Sequence, residues 1–154
     1  MSTAVLPQEK LNKLVEFLLD LADTHRDFLL EMFESEAPDF YNKLEKSLPA
    51  LRDFHDWDPR LLQQLIRVIP FKTLAWAIYE RDPALVQVFA ENISHRGRTF
   101  LMEELQTVKA QRRRQLENGS LTPQRLKKIS RKEKIYLLLQ AQHLAAEWEA
   151  EHRD

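Results

Sequence analysis

Asp58-Pro59-Arg60-Leu61-Leu62-Gln63-Gln64-Leu65-Ile66-Arg67-Val68-Ile69-Pro70 carries the start, the body and the stop of a helix in one stretch. An aspartate before the first turn offers its side-chain oxygen to an amide with no partner inside the helix. Pro59 sits at the first helical position, where its missing N–H costs nothing. Leu62, Leu65, Ile66 and Ile69 recur at the helical period and make one apolar face. Pro70 then removes a donor and ends the run.

The same grammar repeats outward in both directions. Downstream, a short segment carries Leu74, Ala77 and Ile78, and Asp82-Pro83 restates the cap signal ahead of Leu85, Val86 and Phe89. Ser94 is placed to cap a longer helix with Leu101, Leu105 and Val108 inward. Asn118-Gly119-Ser120 breaks it and Thr122-Pro123 restarts the chain. Ser130 and Glu133 have capping-box spacing, which predicts one more helix holding Ile135, Leu138, Leu139, Ala145 and Trp148. Upstream, Pro7 opens a helix with the stripe Leu11, Leu14, Val15, Leu18 and Leu21. Thr24 is the candidate cap of a second helix, with Phe28, Leu29, Met32 and Phe33 as its inner residues. Pro38 starts a third, turning Phe40 and Leu44 inward, and Pro49 closes it. Of the three tryptophans, Trp76 reads as core, Trp57 as a staple against Leu61 or Leu62, and Trp148 as either core or surface anchor.

No strand alternation competes with this pattern, so the fold class is all-α: a three-helix unit over 8–48, a joint over 49–57 and a helical bundle over 58–150. Composition agrees. The 154 residues are 44% hydrophobic and 31% charged, and Gly97 and Gly119 are the only glycines. The absence of cysteine excludes disulfides and thiolate metal sites. Met1 to Lys10 carries no basic segment followed by an apolar one, and no apolar run approaches ~18 residues. A cytoplasmic protein without membrane insertion is expected.

Catalytic and metal chemistry find no constellation. His25, His55, His95, His143 and His152 show no metal-ligand spacing. Glu103 and Glu104 are adjacent, so on a helix they point about 100° apart and do not share one reacting atom. No phosphate-binding glycine loop and no nucleophile elbow are present. The sequence thus predicts no enzyme and no cofactor.

Charge is unevenly spread. Residues 1–95 hold 10 Lys/Arg against 16 Asp/Glu, whereas residues 96–134 hold 12 against 4. Segment 109–134, with Arg112, Arg113, Arg114, Lys127, Lys128, Arg131 and Lys132, is the basic concentration. Basic side chains release counterions from phosphate, so an adaptor or nucleic-acid-binding role is the alternative reading. The segment lacks interleaved aromatics for base stacking, which ranks nucleic acid below a solvated face or an acidic protein partner.

The stretch from Asp58 to Leu105 is more specific than its pattern. Asp58-Pro-Arg60-Leu-Leu-Gln63-Gln-Leu-Ile-Arg67 is similar to "D-D-R-x-I-Q-x-L-L-R", and Thr73-Leu-Ala-Trp-Ala-Ile78 to "S-L-x-x-A-L". Phe89-Ala-Glu-Asn92-Ile-Ser94-His-Arg96 is similar to "F-x-x-N-M-S-x-R-A-A", and Leu101-Met-Glu103-Glu104-Leu105 to "L-R-D-D-L". In this order and spacing the chain resembles the C-terminal half of the flagellar motor switch protein FliG. Fainter likeness extends from about Leu11 to Glu149.

The resemblance implies an armadillo-like unit, a hinge and an orthogonal helical bundle whose torque helix faces the stator. The family's torque-helix arginines fall on Arg96 and Arg112, and its acidic pair on Glu103 and Glu104. Its lysine at the end of the preceding helix falls on Tyr79 and is lost. Arg96 and Glu103 are seven apart and so share a face, roughly opposite Leu101, Leu105 and Val108; Glu104 borders that face. The implied partners are the cytoplasmic loop of a stator and other switch-complex subunits. The stripe Leu11, Leu14, Val15 and Leu18, beside Phe17 and Leu19, is broader than three helices need to cover. It is the expected stacking surface, whether for self-association or for a switch subunit. Two departures stand out. The family's "M-F-x-F" hinge reads Leu48-Pro49-Ala50-Leu51, and about a dozen residues around Arg113 to Thr122 have no family counterpart.

Overall fold

The computed structural model describes residues 5–79 and 83–152. Among them no strand occurs, and the all-α class expected from the sequence is what the chain adopts. Helices run α1 (Gln8–Asp20), α2 (Asp23–Glu36), α3 (Pro38–Ser47), α4 (Pro59–Val68), α5 (Phe71–Ile78), α6 (Pro83–Glu91), α7 (His95–Glu117) and α8 (Pro123–Glu151), with a 3₁₀ turn at Leu51–Asp56 between α3 and α4.

The chain divides into two compact units, Met1–Ala50 with Leu138–Asp154, and Leu51–Leu137. The sequence-based boundary assigned all of 58–150 to one bundle, whereas the structure places the last part of α8 with α1–α3. There the buried Gln142 donates its amide to the Asn12 side chain at 3.2 Å. Helical pattern alone cannot reveal which distant helix a terminal segment packs on.

In the first unit Leu11, Val15, Leu18, Leu30, Tyr41 and Leu44 are buried. α2 packs against α3, with Phe33 and Phe40 edge-to-face at 5.1 Å. The expected cap and inner face of α2 are corrected. The helix begins at Asp23 before Thr24, and its N-cap Ala22 contributes no side-chain hydrogen bond. Its buried residues are Arg26 and Leu30, one turn apart, while Phe28 is 63% exposed and Met32 lies outside too. Arg26 is seated by Asp23, three residues before it, and by the Leu21 carbonyl, so a cation with local partners takes a place the apolar count gave to phenylalanine.

In the second unit the caps expected at Asp58 and Ser94 form, while Asp82 of the Asp82-Pro83 signal lies outside the described residues. Asp58 accepts from the Arg60 amide at 2.8 Å, and the same carboxylate holds the Arg60 guanidinium above its usual pKa, by hydrogen bond first and by charge second. Leu61, Leu62, Leu65 and Ile66 are the buried residues of α4. α5 is buried from Thr73 through Ile78 and packs against α7. A helix apolar on all sides must be covered on all sides.

The segment expected as a joint contains a packed residue that the pattern did not single out. Phe54, in the 3₁₀ turn, is fully buried, edge-to-face with Trp57 at 4.8 Å and with Phe89 at 5.4 Å. The capping box at Ser130 and Glu133 does not form. α8 is continuous from Pro123, and the Ser130 hydroxyl instead donates to the Trp76 carbonyl of α5 at 3.0 Å. No glycine or proline interrupts 124–151, so nothing ends the helix at 130.

These placements set a contrast in stability. Phe54→Ala opens a cavity in the second unit and is expected to cost about 3–5 kcal/mol. Phe28→Ser, on an exposed face, should stay within about 0.5 kcal/mol. Thermal unfolding of the two variants against the parent checks this, at about 2–4 °C per kcal/mol for a chain of this size. Equal shifts would contradict the assignment.

Candidate interaction surface

α7 owes its start to Ser94, whose hydroxyl oxygen accepts from the Gly97 amide at 3.1 Å. The preceding helix ends where the Asn92 side chain donates to the Val88 carbonyl at 2.8 Å. Gly97 permits a tight approach there: a Cβ would lie 3.3 Å from Ser94 Oγ, 3.4 Å from Ile93 Cβ and 3.6 Å from Phe71 Cζ. The inner stripe is Leu101, Leu105 and Val108, all buried as the period predicts.

The four positions expected to face a stator divide between two sides of α7. At about 100° per residue, Arg96 and Glu103 lie within about 20° of each other on the side away from that stripe. Both are exposed. Glu104 is half-buried at the edge of this face. Arg112 sits about 160° around the helix from Arg96 and about 20° from Leu101, so it continues the inner stripe. It is half-buried, and its guanidinium carbon stands 4.4 Å from the centroid of the Tyr79 ring. Tyr79 is itself buried and edge-to-face with Trp76 at 5.9 Å. The structure therefore does not bring Arg112 together with Arg96 and Glu103. It holds α7 against the end of α5 through a cation–π contact, and the expectation that it belongs to the outward charged set is corrected.

The outward face also holds residues that charge matching passed over. Phe100, 46% exposed, lies one turn beyond Arg96, whose guanidinium carbon is 5.8 Å from its ring centroid. Met102 is likewise exposed, and with His95, Arg98, Thr99, Glu103 and Gln106 it lines a shallow depression along the helix. The i, i+4 relation of Arg96 to Phe100 was available in the sequence.

The expected stacking stripe is corrected as well. Leu11, Val15 and Leu18 are buried and Leu14 is half-buried, so they serve as core and present no docking face. The apolar side chains the first unit does expose are Phe17, at 54%, with Phe28 and Met32. Among the described residues no group of His, Cys, Asp or Glu is arranged to hold a metal, and no helix is long and apolar enough to cross a membrane.

Residues 31–137 match the model of the FliG C-terminal domain family. The chain belongs to that family. The flagellar motor switch protein FliG of Borreliella burgdorferi is 25% identical to it over 103 residues, which are 66% of this chain and 30% of that protein. The solved structure of full-length FliG from Aquifex aeolicus is 17% identical, with a TM-score of 0.47, over 96% of this chain and 40% of that one. The chain thus spans less than half the length of either FliG. The FliG C-terminal match covers α7 whole, including the outward face of Arg96 and Glu103.

The two faces of α7 predict opposite responses to the same truncation. Arg112→Ala should destabilise by about 1–2 kcal/mol through loss of the ring contact, whereas Arg96→Ala should change stability by no more than about 0.5 kcal/mol. A double-mutant cycle with Tyr79→Leu should return a coupling energy for Arg112 and none for Arg96. A cycle with no Arg112–Tyr79 coupling would sink the assignment.

Proposed function

We propose that this chain is a rotor-side interaction module of the flagellar motor, working at the cytoplasmic face of the basal body. In this reading it contacts the cytoplasmic loop of a stator through the outward face of α7. The observation that carries it is the placement of Arg96 and Glu103, exposed two turns apart on a helix whose opposite side is committed to core. A cation and an anion fixed at that separation by a rigid helix can meet a complementary pair in one register. Such contacts steer and align partners without requiring tight binding, which suits an encounter that must be made and broken repeatedly. Glu104 adds charge at the edge, Phe100 supplies apolar area beside Arg96, and Met102 lines the depression next to Glu103. No bond is made or broken in this mechanism, so the module is a mechanical part and not a catalyst. Docking to other switch subunits falls to the first unit and its exposed Phe17, Phe28 and Met32.

The test uses reversals that leave the core alone. Arg96→Glu and Glu103→Lys should each weaken binding to a stator cytoplasmic loop and impair motility, with melting temperature nearly unchanged. A compensating reversal on the stator should restore part of the loss. Raising salt should weaken the parent contact, because exposed charges are screened beyond about 8–10 Å at physiological ionic strength. Reversals that leave stator binding and motility intact would overturn the reading. Loss of polyanion binding on neutralising Arg113 and Arg114, with stator binding absent throughout, would favour the nucleic-acid alternative.

A further inference from the structure

Segment 109–134, formed by the end of α7, the turn after it and the start of α8, holds 10 Lys/Arg against 2 Asp/Glu. Arg113, Arg114, Arg125, Lys127 and Lys128 there are exposed. Among the described residues none of these five forms an ion pair. The fold accounts for only some of them. Arg114 suits the negative end of the α7 dipole, but Arg125 stands in the first turn of α8, where a cation is unfavourable and no acidic residue offsets it. Adjacent helical residues point about 100° apart, so Arg113 and Arg114, like Lys127 and Lys128, face different ways around their helices. The cations thus surround the turn and do not line one side of a rod. The turn itself is defined: Asn118 Oδ1 accepts from the Ser120 amide at 2.9 Å, Gly119 takes φ 74°, and the Thr122 hydroxyl accepts from the Arg125 amide at 3.1 Å. Leu116, in the last turn of α7, is 38% exposed, an apolar side chain among these cations.

We infer that the turn between α7 and α8 meets an anionic lipid bilayer end-on, with the five cations among the headgroup phosphates and Leu116 at the acyl boundary. A bilayer answers both halves of what the turn presents. Its surface is a plane of negative charge that attracts basic side chains, and just beneath lies an apolar layer for a leucine. Cations spread around an exposed tip suit a plane approached end-on, whereas a helix lying in a nucleic-acid groove uses one side of its axis. Segment 109–134 also contains no aromatic side chain on which a base could stack. The contact is peripheral: no described helix is long and apolar enough to cross a membrane, and a single leucine beside a basic patch gives reversible adsorption. Arg96 and Glu103 take no part in this contact, and lipid vesicles contain no stator, so the lipid contact and the stator contact stand or fall separately.

The experiment is co-sedimentation of the full chain with vesicles of phosphatidylcholine alone and of phosphatidylcholine mixed with phosphatidylglycerol. In low salt the parent should bind the mixed vesicles and leave the neutral ones, and it should come off at about 1 M NaCl, where the screening length is near 3 Å. A cation close to an anionic surface is worth about fivefold in partition, so Arg113→Ser with Arg114→Ser, and Lys127→Ser with Lys128→Ser, should each weaken binding about 25-fold. Leu116→Ser should weaken it about fourfold or more, the value of a single buried methylene. Circular dichroism checks that the variants fold, and the two serine pairs lie on different helices, so either serves if the other is lost. A parent that ignores the mixed vesicles, binds both kinds equally, or is matched by its variants would overturn the inference. So would binding to single-stranded DNA with none to the mixed vesicles, which would assign the cations to nucleic acid.

Discussion

Burial of α5 on every side is the constraint from which the second unit follows. Six consecutive residues, Thr73 to Ile78, are removed from water, which a helix of eight residues achieves only when neighbours surround it. α7 covers one side through Leu101, Leu105 and Val108, and α8 reaches it with the Ser130 hydroxyl. Once those contacts are made, the rotation of α7 about its axis is fixed. That rotation decides which charges face water. Arg96 and Glu103 are outward because Leu101 is inward, and Arg112 is inward for the same reason. The charged face is a by-product of that packing.

The second unit was legible in the sequence because its signals are local. Asp58-Pro59, Ser94 and Thr122-Pro123 place their caps within three residues of what they cap, and the inner stripes of α4 and α7 follow one period. What escaped depends on partners far away in the chain. Ser130 has the chemistry of a cap and the spacing of a capping box, yet its hydroxyl is used by a carbonyl 54 residues earlier. The end of α8 belongs with α1–α3 through groups such as Gln142 and Asn12, 130 residues apart. Phe54 looked like part of a joint because a 3₁₀ turn has no long apolar period to announce it.

Among the candidate site residues, legibility followed the same line. The exposure of Arg96 and Glu103 follows from seven-residue spacing opposite an apolar stripe. Arg112 was misplaced because motif matching aligns positions and ignores rotation; sixteen residues on from Arg96, the helix has turned nearly half-way round. Its neighbour Tyr79 stands where the resemblance puts a lysine. A phenol ring at that position takes the Arg112 guanidinium on its face, where a lysine would repel it. On α1 the difference runs the other way: a regular apolar stripe, expected at a docking surface, is core, as a strong helical period most often is.

The turn after α7 has a consequence for how such a chain can change over time. Gly119 sits in the left-handed region with open space around the position a Cβ would take, and Glu117 to Ser120 are exposed. Asn118 ends α7 and Thr122 caps α8, and the turn's own bonds, from the Gly119 and Leu121 amides to the Leu116 and Gln115 carbonyls, reach only the last turn of α7. Closing a longer loop here costs only about 0.6 kcal/mol for each doubling of length. Added or lost residues at this point leave the packing of α5 and α7 untouched. Descendants of one ancestral domain can therefore diverge here in length and charge, acquiring or discarding a contact of their own while the shared core keeps turning the same face of α7 outward.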